Sequence, residues 1–379
     1  MVPGRTGRSP GARGSTQGEI IVTTQQSTQT FDEAKAEELG NQLIGTYMGA
    51  ARTLIVDLGH RSGLWESLAQ GPATSVELAE RSGLNERYVR EWLGGATVSG
   101  YVDYDPATKS HTLPAEHAAS LTGETGANLS SLSPMITFLG GHVSAVLEAF
   151  KNGGGVPYSE YRPEFTEIMD DFFRRDYNSS LFDGYIGVVP GLTERLEGGI
   201  SVCDFGCGTG HNMNLMAQAY PKSTFIGYDI AEDAIASATA EAAEMGLTNV
   251  TFQIQDVTDV AGDVSFDLIT AFDSIHDQVN PQGALNEASS HLAPGGAFMM
   301  VDVKASSNLE DNIDHPVAPF FYAVSTLHCM TVSLAEGGAG LGTVWGEQLA
   351  VKMLNDAGLP NVRVLDSSNP FNSIYVCTK

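Results

Sequence analysis

The sequence predicts an α/β protein, with a doubly wound, mainly parallel sheet in its C-terminal half and a helical domain of winged-helix outline in front of it. From Gly199 onward, short apolar strands alternate with helical stretches, which is the pattern of such a sheet. Before residue 128, apolar residues recur at the three-to-four spacing of amphipathic helices. The proposed strands of the sheet include Ser201–Phe205, Thr224–Asp229, 251–255, Phe266–Phe272 and 297–303.

The predicted N-terminal domain, residues 31–127, follows the order of a winged helix. Apolar residues from Leu39 to Leu68 predict one long helical face. Thr74 is a hydroxyl cap in front of a short helix, and a turn at 82–85 leads into a second helix. Two short strands around the turn at 105–109 would then form the wing.

Charge separates the two uses of a winged helix, which reads DNA in some proteins and serves as a dimerisation and lid module in others. From residue 31 to 125 there are fourteen Asp or Glu and only seven Lys or Arg, and the whole chain has a formal net charge of -26. The second helix mixes both signs at 86–91 instead of presenting a basic face. We therefore expect no nucleic-acid partner.

Composition further limits the partners and the compartment. We expect no apolar run to approach the roughly eighteen residues of a membrane span, and hence no membrane partner. The four cysteines lack disulfide-framework or zinc-ribbon spacing, which favours the reducing cytoplasm. Residues 1–30 are rich in Gly, Ser, Thr, Gln and Arg and predict a disordered tail. Residues 128–196 predict a helical connector and lid that is unusually aromatic.

The first candidate site is the glycine-rich segment 202–210, which follows a predicted strand and opens a predicted helix. Glycines let the backbone approach a ligand closely, and the amino terminus of the helix offers free N–H groups to a carboxylate. An acid stands two residues before the first glycine, which disfavours the pyrophosphate of a dinucleotide. We predict a cofactor site that contains Asp204, Gly206, Gly208 and Gly210.

Acidic residues at the ends of the next two strands extend this predicted cofactor site. Asp229 ends the second strand, where a carboxylate can accept both hydroxyls of a ribose. Asp256 follows the third strand and can receive an adenine amino group while Val257 packs on the ring. Either carboxylate could instead be a solvated strand-end acid. Ile230 and Phe272, at the ends of the second and fourth strands, complete the predicted set.

The order of these motifs resembles the class I S-adenosylmethionine (SAM)-dependent methyltransferases. The resemblance rests on acid-x-Gly-x-Gly-x-Gly at 204–210, Gly-Tyr-Asp at 227–229, Asp-Val at 256–257, Phe-Asp-Leu-Ile at 266–269 and Leu-Ala-Pro-Gly-Gly at 292–296. With the winged helix in front and the segments 272–277 and 340–347 behind, the chain is similar to actinobacterial two-domain methyltransferases. The resemblance implies SAM as cofactor, a seven-stranded Rossmann-like methyltransferase sheet in residues 197–379, and a small methyl acceptor.

His276 is the candidate general base, because it lies just beyond the carboxyl end of the fourth strand and titrates near neutrality. It resembles the His-Asp of plant and bacterial O-methyltransferases, but those usually continue with Trp where this chain has Gln278. The acceptor atom, O, N or S, therefore stays open, and His276 could instead be structural. Tyr158 and Glu347 are the candidate substrate-contacting residues of the cavity wall.

The sequence predicts no metal site, because His315, His328 and Cys329 are too scattered to form a ligand set. Two other functions remain in competition with methyl transfer. One is a SAM-responsive winged-helix regulator that binds DNA, which the acidic balance disfavours. The other is a SAM-binding enzyme of this fold that does not transfer the methyl group.

The N-terminal domain is expected to form a homodimer, because its apolar face from Leu39 to Leu68 is longer than a small winged helix needs for its own core. Light scattering at roughly tens of micromolar protein should therefore give twice the mass of one chain. A strictly monomeric mass at that concentration would rule the homodimer out.

Overall fold

The structure is a computed structural model that describes residues 31–378, so the predicted disordered tail at 1–30 lies outside the described residues. Its first helix, α1, spans Glu33–Arg61. The boundary between two compact units of the chain falls inside α1, after Met48. Along α1 the predicted apolar face is exposed at several positions, namely Leu39, Leu43, Ile44, Tyr47, Leu54 and Leu58.

A winged helix follows α1 and confirms the predicted fold of the N-terminal domain. Its elements are α2 (Leu64–Ala69), α3 (Ser75–Ser82), α4 (Glu86–Val98), the wing strands β1 (Asp103–Asp105) and β2 (Ser110–Thr112), and α5 (Ala115–Leu121). Thr74 begins α3 with the expected cap, since its side chain accepts the N–H of Glu77 while the Glu77 carboxylate accepts the N–H of Thr74. Trp65 and Trp92 are buried edge to face, 4.6 Å between ring centroids, and centre the core of this domain.

The connector predicted at 128–196 is helical and carries the aromatic residues toward the sheet. Its helices are α6 (Ser133–Gly141), α7 (Val143–Asn152), α8 (Glu164–Ser180) and α9 (Leu192–Gly198), with a π-helical turn at Leu181–Ile186 between the last two. Tyr161 and Phe165 are buried in a small separate core with Met135 and Val332. Most aromatic residues of the connector thus pack, as their spacing predicts.

The C-terminal half contains the predicted seven-stranded sheet. Its strands are β3 (Ser201–Phe205), β4 (Thr224–Asp229), β5 (Val250–Ile254), β6 (Phe266–Phe272), β7 (Leu292–Val303), β8 (Arg363–Asp366) and β9 (Asn372–Thr378). They lie in the order β5-β4-β3-β6-β7-β9-β8. The first five are parallel, while β9 runs antiparallel to both β7 and β8. Because β3 and β6 are central neighbours, the loops after their carboxyl ends meet at one edge of the sheet.

Both faces of this sheet are covered by helices. The helices of this half are α10 (His211–Ala219), α11 (Glu232–Glu244), α12 (Pro281–Ser290), α13 (Leu309–Asn312), α14 (Ala318–Val324), α15 (Met330–Ala335) and α16 (Gly346–Asp356). Of these, α10, α11, α12 and α16 contribute residues to the two cores of the sheet. Alternate residues of β7 enter different cores, with Phe298 and Met300 on one face and Met299 and Val301 on the other. This two-sided burial explains the continuous apolar runs of the sequence.

Two strand predictions differ from the structure in their bounds. The third strand begins at Val250, one residue before the predicted range 251–255. Strand β7 begins at Leu292, five residues before the predicted start at 297, because Pro294 and Gly295 indicated a turn. The pairing of β6 with β7 is irregular at this point, because Phe266 pairs with Leu292 and the next pair is Leu268 with Ala297. The extra residues of β7 therefore form an irregularity within the strand.

One helical segment corrects the expectation that no apolar run approaches the length of a membrane span. Ala318–Ala335 covers eighteen residues with a mean hydropathy of 1.2, and 44% of it is buried in the protein. It consists of α14, a π-helical turn at Ser325–Cys329, and α15. Its buried residues include Phe321 and Val332, and the latter belongs to the core of the connector, as in the core helix of a globular domain.

Phe298→Ala is expected to lower the free energy of unfolding by about 3–5 kcal/mol, because it leaves a cavity at a fully buried position of a central strand. Equilibrium urea unfolding measures the change. The matched control is Ile254→Ala on the edge strand β5, where the side chain is 57% exposed and the expected loss is below about 1 kcal/mol. Equal losses in the two variants would contradict the assignment of the core.

Candidate functional site

The glycine-rich loop between β3 and α10 is held by backbone hydrogen bonds. The N–H groups of Gly206 and Cys207 both donate to the carbonyl oxygen of Tyr228, at 2.8 and 2.9 Å. Gly206 has φ +74°, and a Cβ at this position would lie 2.5 Å from the Cβ of Ser274. The loop therefore requires glycine there for both its backbone angle and its close packing. Next to Gly208 the space is open.

Asp229 closes the loop from the end of β4. One carboxylate oxygen accepts the N–H of Gly208 at 2.8 Å, and the other accepts the N–H of Ala231 at 2.8 Å. Burial raises the pKa of Asp229, although these backbone hydrogen bonds oppose the shift. The carboxylate lines the same cavity as the loop, in the position from which the sequence predicts a ribose contact.

Asp204 lies beneath the loop and is completely buried. The Thr270 hydroxyl donates to one of its carboxylate oxygens at 2.6 Å, and the Asn212 side-chain amide donates to the other at 3.2 Å. Burial raises the pKa of Asp204 to about 6, because the two hydrogen bonds only partly replace water. The residue forms part of the cavity floor, as does Asp273, whose pKa burial and the nearby Asp302 raise to about 8.

A cavity of about 290 Å³ lies between the glycine-rich loop and the helical connector. The loop side contributes the predicted residues Asp204, Gly206, Gly208, Gly210, Asp229, Ile230 and Phe272. The connector side is mainly aromatic and contributes the predicted residue Tyr158 together with Phe165, Phe173 and Tyr177. Burial raises the pKa of the Tyr158 phenol to about 12, so it is neutral at neutral pH. The structure thus brings polar loop and aromatic wall together around one space.

Three of the predicted cofactor- and substrate-contacting residues lie outside the lining of this cavity. Asp256 is exposed, and its carboxylate accepts hydrogen bonds from the backbone N–H and hydroxyl of Thr258, which makes a local turn. Val257 is buried in the main core of the sheet domain. Glu347 is exposed at the start of α16, where its backbone N–H donates to Ala305. Their roles as cofactor- or substrate-contacting residues therefore stay predictions.

A network of ion pairs and hydrogen bonds, which the sequence does not predict, links the connector to the glycine-rich loop. Arg174 of α8 makes a two-pronged contact with Asp170, at 3.0 and 3.1 Å, and also pairs with Glu241 of α11. Asp170 in turn accepts a hydrogen bond from the hydroxyl of Thr209. Burial alone would raise the pKa of Glu241, but hydrogen bonds from His211 and Arg174 lower it to about 2. These contacts hold the connector side of the cavity against the glycine-rich loop.

His276 is buried behind the cavity and does not line it. Its Nδ1 lies 2.8 Å from a carboxylate oxygen of Asp302, which also accepts the indole N–H of Trp345 at 3.0 Å. Its Nε2 lies 3.5 Å from Asp277. Burial alone would lower the pKa of His276, but the two carboxylates outweigh it and raise the pKa well above 6.5. The shift favours the protonated form of this imidazole, whereas a general base needs the neutral form.

Residues of the sequence that are far apart come together beside His276, which corrects the expectation that His328 and Cys329 are isolated. Potential ligand atoms of His276, Asp277 and Cys329 lie within 4.8 Å of one another, and His328 lies 3.9 Å from Asp277. His315 stands apart from this group and stacks on Phe321. The contacts inside the group pair imidazoles with carboxylates, so we interpret it as an ion-pair cluster.

Both halves of the chain match known families. Residues 196–356 match the family described as Methyltransferase domain, and residues 50–123 match the Rv2258c-like winged HTH domain. With the sheet order and the winged helix, these matches place the chain in the class I SAM-dependent methyltransferases, in the type with an N-terminal winged helix. The sequence-based resemblance is thereby confirmed at the level of the family.

Individual relatives are similar over shorter or more divergent stretches. The trans-aconitate 2-methyltransferase of Acidovorax sp. (strain JS42) is 32% identical over 115 residues, 30% of this chain and 40% of the relative. The nocamycin O-methyltransferase of Saccharothrix syringae is 40% identical over 75 residues, 19% of this chain and 27% of the relative. The chain thus matches less than half the length of these curated relatives.

Solved structures match nearly the whole fold at low identity. PigF with SAH superposes with a TM-score of 0.68 at 19% identity, covering 90% of this chain and 99% of that one. The mitomycin 7-O-methyltransferase MmcR gives 0.67 at 18%, with 92% and 98% covered. Human N-acetylserotonin methyltransferase in complex with SAM gives 0.65 at 14%, with 93% and 99% covered. At these identities the likeness concerns the fold.

Asp229→Ala is expected to weaken SAM binding by about 1–3 kcal/mol, because two ribose hydroxyls would lose their acceptor in a buried site. Isothermal titration calorimetry measures the affinity. The matched control is Asp263→Ala, which removes an exposed carboxylate outside both the predicted site and the cavity lining and is expected to bind like the parent. If Asp229→Ala binds SAM within about twofold of the parent, the ribose assignment is wrong.

Proposed function

We propose that this protein transfers the methyl group of SAM to a hydroxyl oxygen of a small, partly apolar acceptor. One observation carries the proposal: a single cavity is lined both by the glycine-rich loop with Asp229 and by the aromatic wall of the connector. The loop side suits a nucleoside and a methionine carboxylate, and the aromatic side suits an apolar ring. Relatives named as O-methyltransferases support oxygen as the acceptor atom.

Methyl transfer from a sulfonium is a direct displacement, so the protein needs chiefly to align the acceptor with the methyl group and to exclude water. Aromatic side chains from Tyr158 to Tyr177 on the connector supply an apolar wall for this purpose. The buried carboxyls of Asp204 and Asp273 lie at the opposite side and supply a polar floor of acidic groups near the cationic cofactor. A hydroxyl acceptor adds one requirement, the removal of its proton.

His276 supports this reaction in the proposal as a positioning residue, in place of the base predicted from the sequence. Its imidazole is enclosed, its Nδ1 is bound to Asp302, and its protonated form is favoured by both neighbouring carboxylates. Its Nε2 lies 3.5 Å from a carboxylate oxygen of Asp277, and Asp277 itself lines the cavity. Another side chain of the cavity wall is therefore expected to accept the proton of the hydroxyl group.

The winged helix is proposed to mediate homodimerisation, with no DNA bound. Its second helix α4 neutralises its own basic groups, since Arg87 pairs with Glu91 and Arg90 lies 3.4 Å from Glu86. The exposed apolar side chains of α1 supply a surface for a second copy. We also propose a cytoplasmic location, which suits the four buried, unpaired cysteines.

The test of the proposed function is a screen with methyl-labelled SAM against phenols, thiols, amines and hydroxy acids. Label should appear on at least one phenolic or other hydroxyl acceptor, and the product should be an ether. Asp229→Ala at subsaturating SAM serves as the matched control and should slow labelling in proportion to its weaker binding. If the parent binds SAM by calorimetry but labels no acceptor, the protein uses this fold without methyl transfer and the proposal fails.

A further inference from the structure

His328 stands in the wall of the cavity, on the π-helical turn at Ser325–Cys329. It is 4% exposed and packs among the aromatic side chains of the connector. Its ring centroid lies 4.5 Å from that of Phe165, 4.9 Å from that of Tyr161 and 6.1 Å from that of Tyr158. The imidazole is therefore fixed in orientation and shielded from bulk water, at the side of the cavity where the acceptor is proposed to lie.

The two ring nitrogens of His328 have different surroundings. Nδ1 lies 3.9 Å from a carboxylate oxygen of Asp277. Nε2 is buried and has no hydrogen-bond partner among residues 31–378. A buried polar nitrogen without a partner is unfavourable, and such atoms commonly mark a group that binds or reacts. A hydroxyl group of an acceptor would supply the missing partner.

We propose that His328 is the general base of the methyl transfer and that Asp277 orients it. This inference rests on the proposed methyl transfer to a hydroxyl oxygen. Nε2 takes the hydroxyl proton while the oxygen forms a bond to the methyl carbon. The carbon–sulfur bond breaks, and its electron pair stays on sulfur, so the cofactor product is the neutral thioether. The resulting imidazolium is paired with Asp277 until the proton returns to water.

The groups that face His328 favour its neutral form. Burial lowers its pKa below 6.5, and the imidazoles of His276 and His142 lower it further, whereas the carboxylate of Asp277 opposes the shift. The phenols of Tyr158 and Tyr161 also face the ring, and burial raises the pKa of both, so they add no charge near neutrality. The surroundings thus shift the pKa of His328 downward and that of His276 upward.

The test compares His328→Asn with His276→Asn in the full-length protein. The acceptors are the phenol that is labelled fastest in the methyl screen and the thiophenol of the same substitution, which ionises without a base. His328→Asn should lower kcat on the phenol by about 100-fold to 10,000-fold and on the thiophenol by less than about 10-fold. SAM affinity should stay within about twofold of the parent. His276→Asn, as the matched control, should affect both acceptors to a similar extent.

The pH dependence of the parent protein provides a second measurement that no folding defect can disturb. Only neutral imidazole accepts the proton, so kcat on the phenol should fall as the pH drops below 6.5 through the lowered pKa of His328. If His276 were the base, the fall would occur above 6.5, through its raised pKa. A fall near pH 8 would indicate Asp273. A fall below 6.5 that persists in His328→Asn would indicate Asp204, whose pKa burial raises to about 6. Any of these results, or a flat profile, overturns the assignment of His328.

The outcomes for the two proposals are distinguishable. If the parent labels no acceptor, the proposed function fails and the role of His328 fails with it. If the parent labels a phenol and His328→Asn keeps full activity, only the role of His328 is wrong. An equal loss on phenol and thiophenol would also overturn it, because a purely structural residue does not discriminate between acceptors that need a base and acceptors that do not.

Discussion

The paired hydrogen bonds from Gly206 and Cys207 to the carbonyl of Tyr228 are the constraint on which the cavity depends. They fasten the loop after β3 to the end of β4, and so they bring the backbone N–H of Gly208 against the Asp229 carboxylate. A side chain at Gly206 would push this loop off Ser274 of the next strand end. The glycine-rich side of the cavity is thus shaped by backbone hydrogen bonds.

The connector side of the cavity is held to this glycine-rich side by charge. Arg174 forms ion pairs with Asp170 and Glu241, and Asp170 also accepts a hydrogen bond from the hydroxyl of Thr209. The network is partly buried, so removing one member would leave charged groups of the others without partners. Connector and loop are therefore coupled by charge, in addition to the apolar core that Leu181 and Tyr185 of the connector share with the sheet.

The sequence predicted the parts of the site that depend on backbone pattern and missed those that depend on tertiary approach. Strands β3, β4 and β6 match their predicted bounds because alternating apolar runs and strand-end acids are local signals. Asp256 has the same local signal as Asp229, yet a turn with Thr258 takes its carboxylate away from the cavity. His328 gave only a weak local signal, a single imidazole in an uncharged segment, and its neighbour Asp277 lies 51 positions earlier in the chain.

The contrast between the two buried histidines shows why burial alone does not decide their chemistry. Both lose hydration, which by itself favours the neutral ring. His276 lies between the carboxylates of Asp302 and Asp277, and these two groups outweigh the lost hydration, so its pKa is raised. His328 has one of these carboxylates as a neighbour, Asp277, whose oxygen lies 3.9 Å from its Nδ1. Its ring also packs against the aromatic rings of Tyr161 and Phe165. Neighbouring carboxylates and aromatic rings therefore shift the pKa values of two adjacent buried histidines in opposite directions, and the lowered pKa of His328 is the one that the proposed proton transfer from a hydroxyl group needs.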